Sequence, residues 1–252
     1  VSALGDAYDR SASAWRRGPA ALYAVLADAL LDRAPVAVAG GAVLDAGAGS
    51  GVAGDAARSR GAAQVVAVDL APAMLAGAAH AVAADLGRLP FRDGSFDLAV
   101  AAFSIGHVRE PVPALAELRR VAPALLASAF AEGWTHPAKE VVEQVLVARG
   151  HRPPDWYQAF KDGTERRVGD PDRLAALALA AGHQGVAVSR VEVATALSDP
   201  AGMVAWRLGM AHHAPFVAGL APAVRVEIER EAASRLTGAP PVVVPMLVLS
   251  AC

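Results

Sequence analysis

Val43-Leu44-Asp45-Ala46-Gly47-Ala48-Gly49-Ser50-Gly51 is a short apolar run that breaks into three alternating glycines. Ala42 to Asp45 reads as a buried strand, and a helix is expected after Gly51. Glycine permits positive φ and lets backbone approach a ligand closely. The first turn of the following helix offers free N–H groups. Strand, glycine turn and helix together place a nucleotide-like ligand at the carboxyl end of this strand.

The same alternation extends outward along the chain. Gln64 to Asp69, His80 to Ala84, Phe96 to Ala101 and Ala124 to Phe130 read as further strands. Pro19 to Arg33, Ala71 to Ala79 and Pro113 to Val121 have helical spacing. Strands alternating with helices predict βαβ units and a mainly parallel sheet. Later, 136–149, 170–181, 200–213 and 222–236 read as helices, and 185–194 and 242–249 as strands. Asp170 with Pro171 is a cap followed by a first-turn proline. No linker divides the chain, so 1–252 is expected to be a single domain. Residues 132–169 and 199–240 are expected to be insertions that cover a site.

Composition narrows the function. The chain has 252 residues, 54 % apolar and 19 % charged, with a formal net charge of −2. That length and apolar content suffice for one large α/β core. No basic footprint points to nucleic acid. Cys252 is the sole cysteine, so no intrachain disulfide forms and a reducing cytoplasm is expected. No secretory leader is expected, and no apolar run is long enough to span a bilayer.

Two ligands compete for the glycine turn. Gly49, Gly51 and Gly54 form a G-x-G-x-x-G, the dinucleotide pattern. That register begins two residues too late after the strand. Asp45 would repel a pyrophosphate, and no Lys or Arg lies between Asp45 and Ala57 to offset it. S-adenosylmethionine (SAM) carries no phosphate but does carry sulfonium and ammonium groups, which a carboxylate at 45 suits. The plainer alternative is that Asp45 is buried and caps the turn. Asp69, 18 residues after Gly51, suits two ribose hydroxyls, or else caps the segment from Ala71. Asp85 is an acceptor for the adenine amino group, or else a turn residue.

These stretches resemble the motifs of class I SAM-dependent methyltransferases. Asp45-Ala-Gly47-Ala-Gly49-Ser-Gly51 is similar to their first motif, and Val68-Asp69-Leu70-Ala71-Pro72-Ala73-Met74-Leu75 to their second. Asp85-Leu86-Gly87-Arg88-Leu89-Pro90-Phe91 and Ser95-Phe96-Asp97-Leu98-Ala99-Val100 look like the third and fourth. Leu115 to Val121 matches the helix that follows. The nearest subgroup resembles ubiquinone- and menaquinone-biosynthesis methyltransferases and includes many natural-product enzymes. The match is good over 41–130 and loose elsewhere.

The resemblance implies a Rossmann-like seven-stranded sheet whose last strand is antiparallel. It implies Gly47, Gly49 and Gly51 along the methionine part of SAM, and Asp45 and Ala46 are also expected in the cofactor site. It implies Asp69 and Leu70 at the ribose, Met74, Asp85 and Leu86 at the adenine, and the Ala102 carbonyl toward the ammonium. Tyr8 and Trp15 resemble an N-terminal cap helix. Ser104-Ile105-Gly106-His107 departs from the subgroup, which often carries two adjacent histidines there.

Methyl transfer is an in-line displacement from an already activated sulfonium, so no metal is required. No His/Cys/Asp/Glu spacing suggests a metal, and a metal-free enzyme is expected, with S-adenosylhomocysteine as product. His107 is the candidate general base, against the reading of a loop histidine bonded to backbone. Trp134, Trp156, Tyr157, Trp206 and His212 are candidates for an acceptor pocket, against the reading of a satellite core. The expected function is methylation of a small-molecule acceptor at O, N or C by a monomer or homodimer, with no nucleic-acid or membrane partner. The rivals are a SAM-binding protein of the same fold that does not methylate, and a tRNA methyltransferase.

Overall fold

The apolar runs assemble into one sheet because their residues alternate between two cores. Val43, Val65, Leu98, Val100 and Leu126 pack into one cluster. Their chain neighbours Leu44, Val66, Ala99, Leu125 and Ala127 pack into another on the opposite face. Period-two alternation with both faces apolar is what a parallel sheet covered on both sides requires. The structure is a computed structural model that describes residues 3–252.

Helices α1 (Ala3–Arg17) and α2 (Pro19–Leu31) precede the sheet. The alternating half runs β1 (Ala42–Ala46), α3 (Val52–Ser59), β2 (Gln64–Asp69), β3 (Ala81–Ala83), β4 (Leu98–Ala102), α4 (Pro111–Val121) and β5 (Ala124–Phe130). The second half runs α5 (Pro137–Val147), α6 (Asp155–Asp162), α7 (Thr164–Val168), α8 (Pro171–Ala180) and β6 (Ala187–Ala194). It ends with α9 (Pro200–Leu208), α10 (Ala214–Ala218), α11 (Pro222–Arg235) and β7 (Val243–Ala251).

The seven strands lie in the order β3-β2-β1-β4-β5-β7-β6. The first five pair in parallel, and β7 runs antiparallel between β5 and β6. The architecture is therefore the expected Rossmann-like one with an antiparallel last strand. The order reverses between β1 and β4, where a crevice opens at the strands' carboxyl ends. Among the described residues, no helix is long and apolar enough to cross a membrane.

Three expectations change. The helix expected over 71–79 is only a 3-10 turn, Pro72–Leu75. Gly77 takes φ of +100°, and the turn is claimed by α1. Asp9 accepts from the Ala73 N–H, and the Arg16 guanidinium donates to the carbonyls of Ala73, Met74 and Ala76. The helix expected over 200–213 stops at Leu208. A Cβ on Gly209 would lie 2.4 Å from Pro19 Cδ, so the chain turns where α2 begins. Residues 155–162, which carried no predicted element, form helix α6.

The inserts correct a larger expectation. Helices α9 and α11 do not form a lid. Helix α9 packs against α2, and α5, α9 and α11 pack on one another, so Val142, Leu146, Met203, Trp206 and Ile228 extend one of the two main cores. Full burial of such side chains stabilises by roughly 1.5–3 kcal/mol each before entropy is counted.

Candidate functional site

The site is built from the end of β1 outward. Gly47 and Gly49 adopt φ of +72° and +53°, which residues with a Cβ rarely take. The Gly47 and Ala48 N–H groups donate to the Val68 carbonyl at 2.8 and 2.9 Å, tying the turn to β2. A Cβ on Gly47 would lie 2.3 Å from the Ser104 Cβ, so the turn after β4 can close down only on glycine. Ser104 Oγ donates to the Ala46 carbonyl at 2.7 Å and locks that approach. Phe103, just before, is the non-glycine residue at positive φ (56°) among those described. Strain of this kind costs on the order of 1–3 kcal/mol and is held by its surroundings. Here the Phe103 N–H donates to Ser128 Oγ, and the ring lies 4.4 Å from Phe130.

Two carboxylates flank the turn. Asp45 is 1 % exposed, and its Oδ2 accepts from the Gly54 N–H in the first turn of α3 at 2.8 Å. It thus caps the helix, and burial pushes its carboxyl up to about 7. Asp69 is half-buried; Oδ2 accepts from Gly49 N–H at 2.7 Å and Oδ1 from Ala71 N–H at 2.9 Å. Burial raises its carboxyl as well. The Leu70 N–H also contributes, and a carboxylate with about four lone-pair sites is not exhausted by these backbone donors. The capping roles weighed from sequence are therefore real, and they orient the carboxylates without exhausting them.

One cavity of about 920 Å³ joins this turn to a second wall. The first wall carries Asp45, Gly47, Gly49, Asp69, Leu70, Met74, Asp85, Leu86 and Ala102. Asp85 is turned on itself, accepting from Gly87 N–H at 2.8 Å. Ala46 and Gly51 do not line the cavity; Gly51 borders a small adjoining pocket.

The second wall is aromatic. Tyr8 Oη lies 3.2 Å from His107 Nε2, the Tyr8 ring 6.4 Å from Trp156, and the His107 ring stacks 4.6 Å from Phe160. These side chains come from α1, the loop after β4 and α6. Apolar surroundings pull His107 down to about 4 and raise the Tyr8 phenol, so both are neutral near pH 7. His107 Nδ1 and Ser50 Oγ are buried without a protein partner. Each is a polar group left over for a bound molecule.

Of the residues expected to line an acceptor pocket, only Trp156 does so. Trp206 is 2 % exposed within the core, and Trp134 stacks against it and against Phe130. Tyr157 faces away from the cavity and stacks on His212 at 3.8 Å. The second insert packs against α1 and α2, and its Trp206 and His212 hold Trp134 and Tyr157 in ring contacts there. Phe103, Phe160, Arg109 and Arg167 line the cavity but were not singled out in the sequence. Only the aromatic content of 153–160 hinted at Phe160.

Residues 44–123 match a family model described as methyltransferase domain. No curated protein matches the chain. Solved structures share the fold at low identity. One is described as a methyltransferase of an antibiotic biosynthesis pathway from Anabaena variabilis. It has a TM-score of 0.59 and 14 % identity, over 88 % of this chain and 95 % of that one. A second is phosphoethanolamine N-methyltransferase 2 of Haemonchus contortus, in complex with S-adenosylhomocysteine. Its TM-score is 0.55 and its identity 16 %, over 90 % of this chain and 52 % of the other. A third is the [4+2]-cyclase SpnF, with a TM-score of 0.52 and 19 % identity, over 90 % and 78 %. The chain thus has the Rossmann-like fold of SAM-dependent methyltransferases, with a methyltransferase-domain match across the glycine turn, the acidic strand ends and His107.

Proposed function

We propose that this chain transfers a methyl group from SAM to a small, largely apolar or aromatic acceptor. The observation that carries the reading is the single cavity that joins Gly47, Gly49 and Asp69 to Tyr8, His107, Trp156 and Phe160. The residues fit the nucleoside. Asp69 keeps acceptor capacity for a ribose hydroxyl, and Met74 and Leu86 offer buried apolar surface in the same cavity. Asp45 offers a carboxylate whose buried charge a bound cation would offset.

Bound SAM supplies an electrophilic methyl group that needs no further activation. The chain's part is alignment, exclusion of water and, for a protonated acceptor, removal of a proton. Trp156 and Phe160 form the apolar wall against which an acceptor would be held. Tyr8 and His107 share one hydrogen bond, so one imidazole nitrogen remains for the acceptor. With Nε2 protonated and donating to Tyr8, Nδ1 is a lone pair able to take a proton. With Tyr8 donating, Nδ1–H is a donor that orients the acceptor instead.

The test begins with the nucleoside. S-adenosylhomocysteine should raise the thermal midpoint, since a ligand of the native state stabilises it, and NADH should not. Stabilisation by NADH alone would return the turn to the dinucleotide reading. Acceptor screening then measures S-adenosylhomocysteine formed per methylated product. His107→Ala should lower the single-turnover rate more than it weakens either ligand. Because His107 stays neutral down to about 4, the wild-type rate should lack an inflection near pH 6.5.

A SAM-binding protein that does not methylate is the second reading, favoured by the cyclase among the structural neighbours. Acceptor conversion without S-adenosylhomocysteine would establish it. The net charge of −2 weighs against a tRNA substrate.

A further inference from the structure

Away from the cavity, Glu143 on α5, His151 after α5 and His213 before α10 converge. One ligand-type atom from each lies within 4.8 Å of the others. The two rings are fixed by backbone carbonyls. His213 Nδ1 lies 2.8 Å from the Arg207 carbonyl oxygen, and His151 Nε2 lies 3.0 Å from the His212 carbonyl oxygen. A carbonyl only accepts, so both nitrogens carry hydrogen.

In the neutral rings the opposite nitrogens are then lone pairs, and both face Glu143. His213 Nε2 lies 2.7 Å from Oε2, and His151 Nδ1 lies 3.7 Å from Oε1, too far for a hydrogen bond. His151 Nδ1 is buried and has no hydrogen-bond partner. His213 is fully buried and His151 is 3 % exposed, while Glu143 keeps a third of its side chain open to solvent. A second ring proton on His213, hydrogen-bonded to Glu143 Oε2, would satisfy that pair, and so would a metal ion; only the ion would also engage His151 Nδ1.

We propose that Glu143, His151 Nδ1 and His213 Nε2 form a binding site for a divalent transition-metal ion of the zinc class. Imidazole nitrogens and a carboxylate are the ligands such ions prefer, at about 2.0–2.2 Å. The three ligand-type atoms lie within 4.8 Å of one another and would draw together to the roughly 3.3 Å ligand spacing of a tetrahedral site of that radius. The backbone carbonyls on the non-ligating N–H groups are the usual outer support of metal-bound histidines. Glu143 provides the solvent-facing side by which an ion enters.

The cation that opposes the ion is Arg207, which is buried. Its Nη2 lies 3.3 Å from His212 Nε2, and Tyr157 and Glu143 also offset its charge. The ion would staple the first insert to the second. His212 stacks on Tyr157, the residue after Trp156 on α6, so the staple bears on the helix that forms the aromatic wall. The site does not depend on the methyl-transfer reading.

The test uses the full chain, stripped with a chelator and then titrated with Zn²⁺, Co²⁺ or Mg²⁺. Zn²⁺ should bind at about one ion per chain and raise the thermal midpoint by several degrees, and Mg²⁺ should not. Co²⁺ should give the intense visible bands of a four- or five-coordinate N/O site. His151→Gln and Glu143→Gln should each abolish the metal-dependent rise. Absence of stoichiometric uptake by the wild type would overturn the proposal and leave a proton-bridged His–Glu–His triad. An equal rise in both variants would overturn it too, by placing the ion elsewhere. Where the variants fail to fold, the wild-type Co²⁺ spectrum decides, since octahedral or absent bands exclude the site.

Discussion

The two halves of the molecule use aromatic and polar residues in opposite ways. From β1 to β5, polar groups sit at strand ends, each held by backbone and each facing the cavity. Asp45 and Asp69 accept from Gly54, Gly49 and Ala71 N–H groups and still border open space. From α5 to α11, tryptophan and histidine mostly turn inward. Trp206 and His213 are buried against other helices, and only the α6–α7 stretch reaches the cavity. A polar residue at the carboxyl end of a central strand is therefore a site residue by position. An aromatic residue in an insert is one only where the insert reaches the crevice.

The largest effect should come from the buried side of this contrast. Trp206→Ala should cost roughly 3–5 kcal/mol of stability by opening a cavity between α9, α2 and α5. Trp206→Phe should cost much less, since it keeps a ring and removes an indole N–H that has no partner. Denaturant unfolding measures both. A mild Trp206→Ala would mean that the second insert is not part of the core.

Asp45 should behave in the reverse sense. Its carboxyl is raised from 3.8 to about 7 by burial, so the folded state holds the proton more tightly than the unfolded state does. This group's contribution to stability is then greatest at low pH and declines as pH rises from about 4 through about 7. Asp45→Asn keeps an oxygen for Gly54 N–H and removes the buried charge. The ligand-free variant should gain roughly 2–4 kcal/mol over wild type at pH 8 and little at pH 4. Its affinity for SAM should fall. A gap that does not grow with pH would mean that Asp45 is already ionised at little cost.

Asp69→Ala removes charged acceptors from two backbone donors and from the proposed ribose position. Affinity for S-adenosylhomocysteine should drop about tenfold to a hundredfold, as expected for hydrogen bonds to a charged group. Calorimetry reads this directly. Unchanged binding would move the nucleoside elsewhere in the cavity.

The smallest effect on the fold should come from Trp156→Ala. Trp156 is half-buried on the cavity wall, so stability should change by less than about 1 kcal/mol. Acceptor affinity should fall while nucleoside affinity stays nearly constant. Paired with Trp206→Ala, this separates an aromatic residue that faces ligand from one that faces core. Equal stability losses in the two would erase the contrast.

The amino-acid sequence by itself determined the sheet, its central strands and the glycine turn, because these follow from local rules. Period-two alternation sets both faces of a strand, and a positive φ at Gly47 or Gly49 is a property of the residue and its turn. Asp45 and Asp69 were legible for the same reason, one being the penultimate and the other the last residue of its strand. Tertiary structure decided what depends on segments far apart in the chain. The turn Pro72–Leu75 lost its helix to Asp9 and Arg16, which compete for its backbone from α1. Phe103 acquired positive φ from the packing of Ser128 and Phe130. Tyr8 met His107 across 99 residues. Glu143, His151 and His213 are separated by 8 and then 62 residues, a spacing that carries no local periodicity. Only the docking of α5 beside α9 brought the three side chains toward one point.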